Sequence, residues 1–167
     1  MGTLLTEHAA GEKMCQDLFA TRDTALSAAA ALVAIARDYG LDGWLINIEN
    51  ALPTAARAGS GAVNHVVSFL EALTAGMRAL NRDRCLSSAS ASASASASAS
   101  DSRAPVPAST YVIWYDAVNT DGQLRWADKL GIKNKVICHH VAPHTLSLSL
   151  THHPRHFTLT LHVDTSL

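Results

Sequence analysis

The stretch Leu41-Asp-Gly-Trp-Leu-Ile-Asn-Ile-Glu-Asn50 decides how this chain is interpreted. It is an apolar run with the composition of a buried β-strand over 43–48, and it ends in an amide and a carboxylate. Successive side chains of a strand point to opposite faces, so Asn47 and Glu49 project from the same face. A carboxylate on the inner face of an apolar strand is costly unless it has a partner or a function. This pair is therefore the first candidate for a catalytic site.

The residues before this strand predict a helix that leads into it. Asp23 or Thr24 can cap a helix that runs to about Tyr39, and Gly40 follows where a left-handed residue ends helices. Its predicted apolar stripe consists of Leu26, Leu32, Val33 and Ile35. A helix, a short loop and a buried strand form half of a βαβ unit.

The same alternation continues along the chain. Apolar spacing predicts a strand over 2–6, a helical turn over 13–20, a helix over 62–80, and strands over 110–115 and 135–138. Continuous apolar strands alternating with helices are typical of a parallel sheet. Polar residues at the strand ends favour an α/β fold of the (β/α)8 barrel type, in which those ends carry the chemistry.

Composition excludes several classes of protein. The chain has 167 residues, enough for one ordinary domain, and a net charge of -1 with 5% aromatic residues argues against a nucleic-acid surface. Its longest uncharged apolar stretch is shorter than the roughly 20 residues of a membrane span. The N-terminus lacks the basic segment followed by an apolar segment that is typical of a secretory signal. Three cysteines without CxxC spacing predict free thiols and a cytosolic, reducing environment.

Two segments differ from the helix–strand pattern. Residues 87–109 begin as a near-perfect Ser-Ala alternation and continue as a Pro-containing stretch, which predicts a disordered insertion in a barrel domain over 1–138. Helix in the Ser-Ala tract is an alternative of marginal stability. Residues 139–167 are expected to be an unrelated tail, either disordered or a hairpin, because 145–151 and 157–163 alternate apolar and polar residues.

Three motifs give the chain a resemblance to a known family. They are the N-terminal strand with Gly11-Glu-Lys-Met-Cys15, the stretch from Tyr39 to Asn50, and Val112-Ile-Trp-Tyr-Asp-Ala-Val118 continuing through Asp121-Gly-Gln-Leu-Arg-Trp126. In this order they resemble the cytosolic endo-β-N-acetylglucosaminidases of glycoside hydrolase family 85, over roughly residues 2–137. The resemblance implies a (β/α)8 barrel that binds N-linked glycans, free or on glycoproteins, in the cytosol, without a cofactor.

The resemblance also implies a reaction and its residues. The enzymes cleave the β-1,4 bond between the two core N-acetylglucosamines with retention, using the 2-acetamido oxygen of the sugar as nucleophile and forming an oxazolinium intermediate. Glu49 matches the general acid and base, and Asn47 matches the residue that holds the acetamido group. Tyr115 matches a tyrosine that assists this orientation, and Trp126 matches an aromatic residue on the acceptor side.

Each candidate also has a structural interpretation. Glu49 could pair with a cation or face solvent, because perturbed acids also occur in ion-pair networks. Asn47 could be a turn or cap residue. Tyr115 and Trp126 could simply pack in the core or a loop. Seven of the nine histidines follow Cys138, but Pro154 interrupts the spacing of His152 and His156 and we expect no metal site.

The length of the chain bears on whether a member of this family would be active. A (β/α)8 barrel normally needs about 200–250 residues or more, and family strands before Gly2 and after Cys138 are not recognisable. We therefore expect a truncated barrel joined to a frameshifted or misjoined tail. Three functions follow as hypotheses: an active endoglycosidase, a non-catalytic glycan-binding remnant, or an inactive fragment. A chitin-directed barrel enzyme is a weaker alternative, because the residues before Glu49 lack that group's spaced aspartates.

Overall fold

The computed structural model describes residues 1–53, 61–93, 111–115, 118, 122–124, 146–153 and 156–163. Eight elements follow one another in these ranges. They are β1 (Gly2–Thr6), α1 (His8–Leu18), α2 (Arg22–Tyr39), β2 (Gly43–Ile48), α3 (Gly61–Ala93), β3 (Tyr111–Tyr115), β4 (Leu146–His153) and β5 (His156–Val163).

The five strands form one sheet in the order of the chain. β1 pairs with β2, β2 with β3 and β3 with β4, all in parallel, and β5 runs antiparallel to β4. Each parallel neighbour needs a connection that returns to the starting edge, and the helices α1 to α3 supply two of these connections. The predicted α/β fold with parallel strands is confirmed for β1, β2 and β3.

The helices cover one face of β1, β2 and β3. The core contains alternate residues of the strands, among them Trp44, Ile46, Ile48 and Trp114, together with apolar side chains from all three helices. Alternation along the strands leaves Leu45, Asn47 and Glu49 on the opposite face. The site residues of β2 therefore point away from the helices.

Capping residues explain both ends of α2. Thr21 and Thr24 exchange hydrogen bonds between side chain and backbone, each at 3.1 Å, in a reciprocal capping box. The predicted start at Asp23 or Thr24 is therefore wrong: Thr21 is the cap and Thr24 is the third helical residue. Gly40 does end the helix in the left-handed conformation, at φ 68°, as predicted.

Arg84 of α3 secures the same end of α2. Its guanidinium donates to the carbonyl of Ala36 at 2.7 Å and to the carbonyl of Leu41 at 3.0 Å. The first of these carbonyls belongs to the last turn of the helix, where hydrogen-bond partners are scarce. The contact fixes the short loop that leads into β2 at its amino end.

The buried stripe of α2 differs from the predicted one. Its fully buried residues are Ala25, Ala29 and Ala36, whereas Ile35 is 40% exposed. Leu32 and Val33 are only partly buried against the core. Small side chains face inward because α2 lies close to its neighbours: a Cβ on Gly76 of α3 would lie 2.5 Å from Val33. Hydrophobicity alone does not reveal such a close approach.

The helix α3 is longer than its apolar pattern predicts. Val66, Leu70, Leu73, Met77 and Leu80 are buried as expected, but the helix continues to Ala93. The structure thus places the first residues of the Ser-Ala tract in a helix, where the sequence favoured a disordered insertion from residue 87. Extending an existing helix costs far less than nucleating one, and alanine is the best helix former. Residues 94–109 lie outside the described residues.

The remaining elements follow the predicted order with shifted ends. α1 begins at His8, five positions before the predicted helical turn over 13–20. In the tail, β4 and β5 form an antiparallel pair, and β4 continues the sheet beside β3. That the tail is unrelated to the rest stays a prediction. The strand predicted over 135–138 lies outside the described residues.

Of the helices in the described ranges, none is by itself long and apolar enough to cross a membrane. α1 and α2 reach that length and composition only when taken together, and they are bent by 110° at their junction.

Candidate active site

Asn47 and Glu49 meet at the carboxyl end of β2. Asn47 is the last but one residue of the strand, and Glu49 follows its last residue, Ile48. Both side chains are half-buried, and Asn47 Nδ2 donates a hydrogen bond to Glu49 Oε1 at 2.9 Å. The two-residue period of a strand places them on one face, as the sequence predicts. Among the described residues, the carboxylate thus has a carboxamide as its partner and forms no ion pair with a Lys or Arg.

The register of the sheet brings Tyr115 beside this pair. Tyr115 ends β3 and lies opposite Asn47 in the parallel ladder of β2 and β3. Neighbouring residues in register share a face of the sheet, so Asn47 and Tyr115 lie on the same side. The ring of Tyr115 is buried to 5% exposure among Leu45, Ile113 and Leu124. Three of the four predicted site residues therefore come together.

This face of the sheet has a different environment from the helix-covered face. Among the described residues, the apolar group around Tyr115 includes none from α1, α2 or α3. Leu5, which lies in register with Asn47, is 41% exposed. Within the described residues, the site is therefore a polar pair and an aromatic ring on an apolar, partly open sheet surface.

Asn47 has one further polar atom available for a ligand. Its Oδ1 is buried and has no hydrogen-bond partner among the described residues. A buried acceptor without a partner is unfavourable by about 1–3 kcal/mol, so such groups need an explanation. Because Nδ2 donates to Glu49, the amide is oriented with its oxygen free to accept an N–H or O–H group.

The loops at the carboxyl edge of the sheet are tied to one another. The N–H of Glu49 donates to the carbonyl of Thr6 at 2.8 Å, joining the ends of β2 and β1. The N–H of Leu52 donates to the carbonyl of Gly122 at 3.0 Å, joining the loops after β2 and β3. The acid therefore lies in backbone that is connected to both neighbouring strands.

Asn50 adds a third connection, which sequence reasoning missed. Its Nδ2 donates to the carbonyl of His8 at 3.0 Å, across 42 residues of chain. Its place directly after Glu49 was the only available signal, and an Asn after a strand usually indicates a turn.

Two further predictions concern Trp126 and a metal site. Trp126 lies outside the described residues, so its place on the acceptor side stays a prediction. Among the described residues, no three His, Cys, Asp or Glu side chains come close enough to hold a metal ion.

Comparison with known proteins identifies the lineage of this arrangement. The sequence profile of Glycosyl hydrolase family 85 matches residues 1–142, which contain β1, β2 and β3 with Asn47, Glu49 and Tyr115. The chain belongs to this family. The resemblance expected from the motifs is thereby confirmed.

Curated relatives of this family 85 chain carry consistent names. It is 36% identical over 137 residues to the cytosolic endo-beta-N-acetylglucosaminidase of Gallus gallus and 34% identical over 137 residues to that of Homo sapiens. It is 32% identical over 135 residues to cytosolic endo-beta-N-acetylglucosaminidase 1 of Arabidopsis thaliana. Each match covers 81% of this chain but only 14–15% of the relative's length. No solved structure matches the chain.

Proposed function

We propose that the chain supplies the acid/base end of an endo-β-N-acetylglucosaminidase site. The substrate is an N-linked glycan, free or on a glycoprotein, in the cytosol. The bond cleaved is the β-1,4 bond between the two core N-acetylglucosamines. The observation that carries the proposal is the hydrogen bond of 2.9 Å between Asn47 and Glu49 on the open face of β2. Family membership and the names of the relatives support the choice of substrate.

The chemistry uses one carboxyl group and one group of the substrate. Glu49 protonates the glycosidic oxygen as the 2-acetamido oxygen attacks the anomeric carbon, which expels the leaving sugar and forms an oxazolinium ion. Glu49 then removes a proton from water, and the water oxygen bonds to the anomeric carbon and reopens the ring. Two inversions give net retention without a second protein carboxylate at the reacting carbon.

Asn47 is suited to hold the acetamido group. Its buried Oδ1 can accept the acetamide N–H, which becomes more acidic as positive charge develops on the ring. Its Nδ2 remains bonded to Glu49, so a single side chain connects the substrate nucleophile to the acid. Tyr115, in register with Asn47, lies where it can orient the same group. We propose Trp126 as the aromatic surface for the acceptor sugar.

The fold supports a partial (β/α)8 barrel as the setting. In such barrels the helices lie outside, and the inward side chains at the carboxyl ends of the strands form the site. Here the helices cover one face of β1, β2 and β3, and Asn47, Glu49 and Tyr115 occupy the carboxyl ends on the other face. The open face then corresponds to the interior of the barrel.

Mass spectrometry of a high-mannose Asn-linked glycopeptide tests the function. The unmodified chain should leave the peptide with one N-acetylglucosamine, and Glu49→Gln should lower the rate at least a thousandfold because the proton donor is lost. Glu71→Gln is the matched control, since it makes the same chemical change on an exposed position of α3 and should leave the rate within twofold.

Other outcomes separate the alternatives. Glycan binding that is equal in the unmodified chain and in Glu49→Gln, without cleavage, would support a non-catalytic remnant. Absence of both binding and cleavage would identify an inactive fragment.

A further inference from the structure

Asn50, the residue after Glu49, contacts the start of α1, which follows the neighbouring strand β1. The side chain of Asn50 reaches from the end of β2 to the beginning of α1, where its Nδ2 donates to the carbonyl of His8. Its Oδ1 packs against Gly11 of α1, so closely that a Cβ built on Gly11 would lie 2.5 Å from that oxygen. The first turn of α1 is thus packed closely against this one carboxamide.

The geometry of this turn shows how closely it is fitted. His8 adopts φ 56°, and it is the one non-glycine residue with positive φ in the described part of the chain. Left-handed residues other than glycine persist where the surrounding structure requires them, and they cluster at functional sites. A Cβ at Gly11 would also come within 2.8–3.0 Å of the backbone of Thr6, so a larger residue would push the helix away from β1.

The backbone of Glu49 is held between these contacts. Its own N–H donates to the carbonyl of Thr6 at 2.8 Å, and the next residue is anchored to His8. The side chain of Glu49 therefore leaves a backbone that is fixed on both sides, and its carboxylate meets Asn47 at 2.9 Å. Acid–base catalysis depends on this kind of placement, because small displacements of a positioned group cost large factors in rate.

From this geometry we infer that Asn50 is a positioning residue for Glu49. Its bond to the His8 carbonyl keeps the acid at the end of β2 in reach of Asn47 and of the bond to be cleaved. The inference rests on the proposed function for its catalytic meaning, but the positioning can be measured without any reaction.

Amide hydrogen exchange measures the positioning directly. Asn50→Asp keeps the shape of the side chain and removes its donor, so the Glu49 amide should exchange at least tenfold faster relative to the amide of Ile46. Ile46 lies in the middle of β2 and is fully buried, so it reports opening of the whole strand. Asn50→Gln, which keeps a carboxamide, should lie between the unmodified chain and Asn50→Asp.

Arg84→Ala is the matched control for this experiment. Arg84 also donates from a side chain to distant carbonyls, but at the amino end of β2. Its loss should raise the exchange of both amides together and leave their ratio within twofold. An unchanged ratio in Asn50→Asp, or an equal change in Arg84→Ala, would overturn the inference. If Asn50→Asp does not fold, Asn50→Ser is used instead, because the shorter serine side chain also loses the hydrogen bond to the His8 carbonyl.

Kinetics supply the second measurement. With the glycopeptide, Asn50→Asp should lower kcat at least tenfold with KM within threefold, because the substrate contacts remain and the acid is displaced. Arg84→Ala should change both by less than twofold. Absence of cleavage by the unmodified chain would reject the proposed function, whereas the exchange ratio would still decide whether Asn50 positions Glu49.

Discussion

Two polar side chains at the end of β2 are the informative residues of this protein. The side-chain N–H of Asn47 donates to the carboxylate of Glu49, whereas its buried Oδ1 has no partner among the described residues. An unpaired acceptor of this kind lowers stability, and it becomes useful when a ligand donates to it. Residues that are selected for binding in this way are expected to be suboptimal for folding.

The first prediction concerns this conflict at Asn47. Asn47→Leu removes the buried unpaired oxygen but also the hydrogen-bond partner of Glu49, so the change is made together with Glu49→Leu. The double variant should exceed Glu49→Leu alone in free energy of unfolding by about 1 kcal/mol, and Asn47→Leu alone should not cleave the substrate. Asn47→Asp places a second carboxylate beside Glu49 and should lower the free energy of unfolding by a similar amount. Urea unfolding of these proteins measures both effects, and an Asn47→Asp variant as stable as the unmodified chain would contradict the explanation.

The second prediction concerns the left-handed residue at the start of α1. Glycine adopts φ 56° without steric cost, whereas alanine does not. His8→Gly should therefore be more stable than His8→Ala by about 1 kcal/mol. Comparing the two variants in urea removes the contribution of the imidazole. Equal stability of the two variants would show that the loop can relax around residue 8.

At the scale of the elements, local signals decided the ends of helices and strands. The run from Gly43 to Ile48 and the glycine at position 40 predicted β2 and the end of α2 correctly. The start of α2 was missed because several neighbouring residues can cap, and only the reciprocal bonds between Thr21 and Thr24 select one. The position of Asn47 beside Glu49 was predictable from the period of a strand. The link between Asn50 and His8 was not, since it depends on how two helices fold between them.

A third prediction tests the end of α2. A Cβ on Gly40 would meet nothing within 4 Å, so the cost of a larger residue there is purely conformational. Gly40→Ala should lower the free energy of unfolding by about 1 kcal/mol, and Gly40→Asn by less, because asparagine tolerates the left-handed region. Thermal and urea unfolding measure the difference. An Ala variant as stable as the unmodified chain would show that the turn is not required.

At the scale of the whole molecule, a buried contact joins α1 to β1, the strand whose end is hydrogen-bonded to Glu49. Cys15 of α1 is buried, and its Sγ donates to Thr6 Oγ1 at 3.3 Å, below the carboxyl edge of the sheet. Burial raises the pKa of the Cys15 thiol, which the hydrogen bond to Thr6 opposes but does not reverse. The protonated thiol is therefore part of the folded state.

A fourth prediction follows from this raised pKa. The unfolded thiol ionises near its ordinary value of about 8.5, while the folded thiol keeps its proton to higher pH. The folded state then binds more protons, so stability should fall as pH rises above about 8.5, by at most about 1.4 kcal/mol per pH unit. Urea unfolding between about pH 7.5 and 10 should show a steeper loss than in Cys15→Ala. Parallel curves would contradict the burial of the thiol.

The contact between Asn50 and His8 also has a consequence for the order of synthesis. Its two partners are 42 residues apart, and the segment between them contains α1 and α2 but no part of α3. At about 5–20 residues per second, a ribosome delivers the second partner about 2–8 seconds after the first. The contact of Asn50 with His8 can thus form on the nascent chain before β3, which carries Tyr115, has been synthesised.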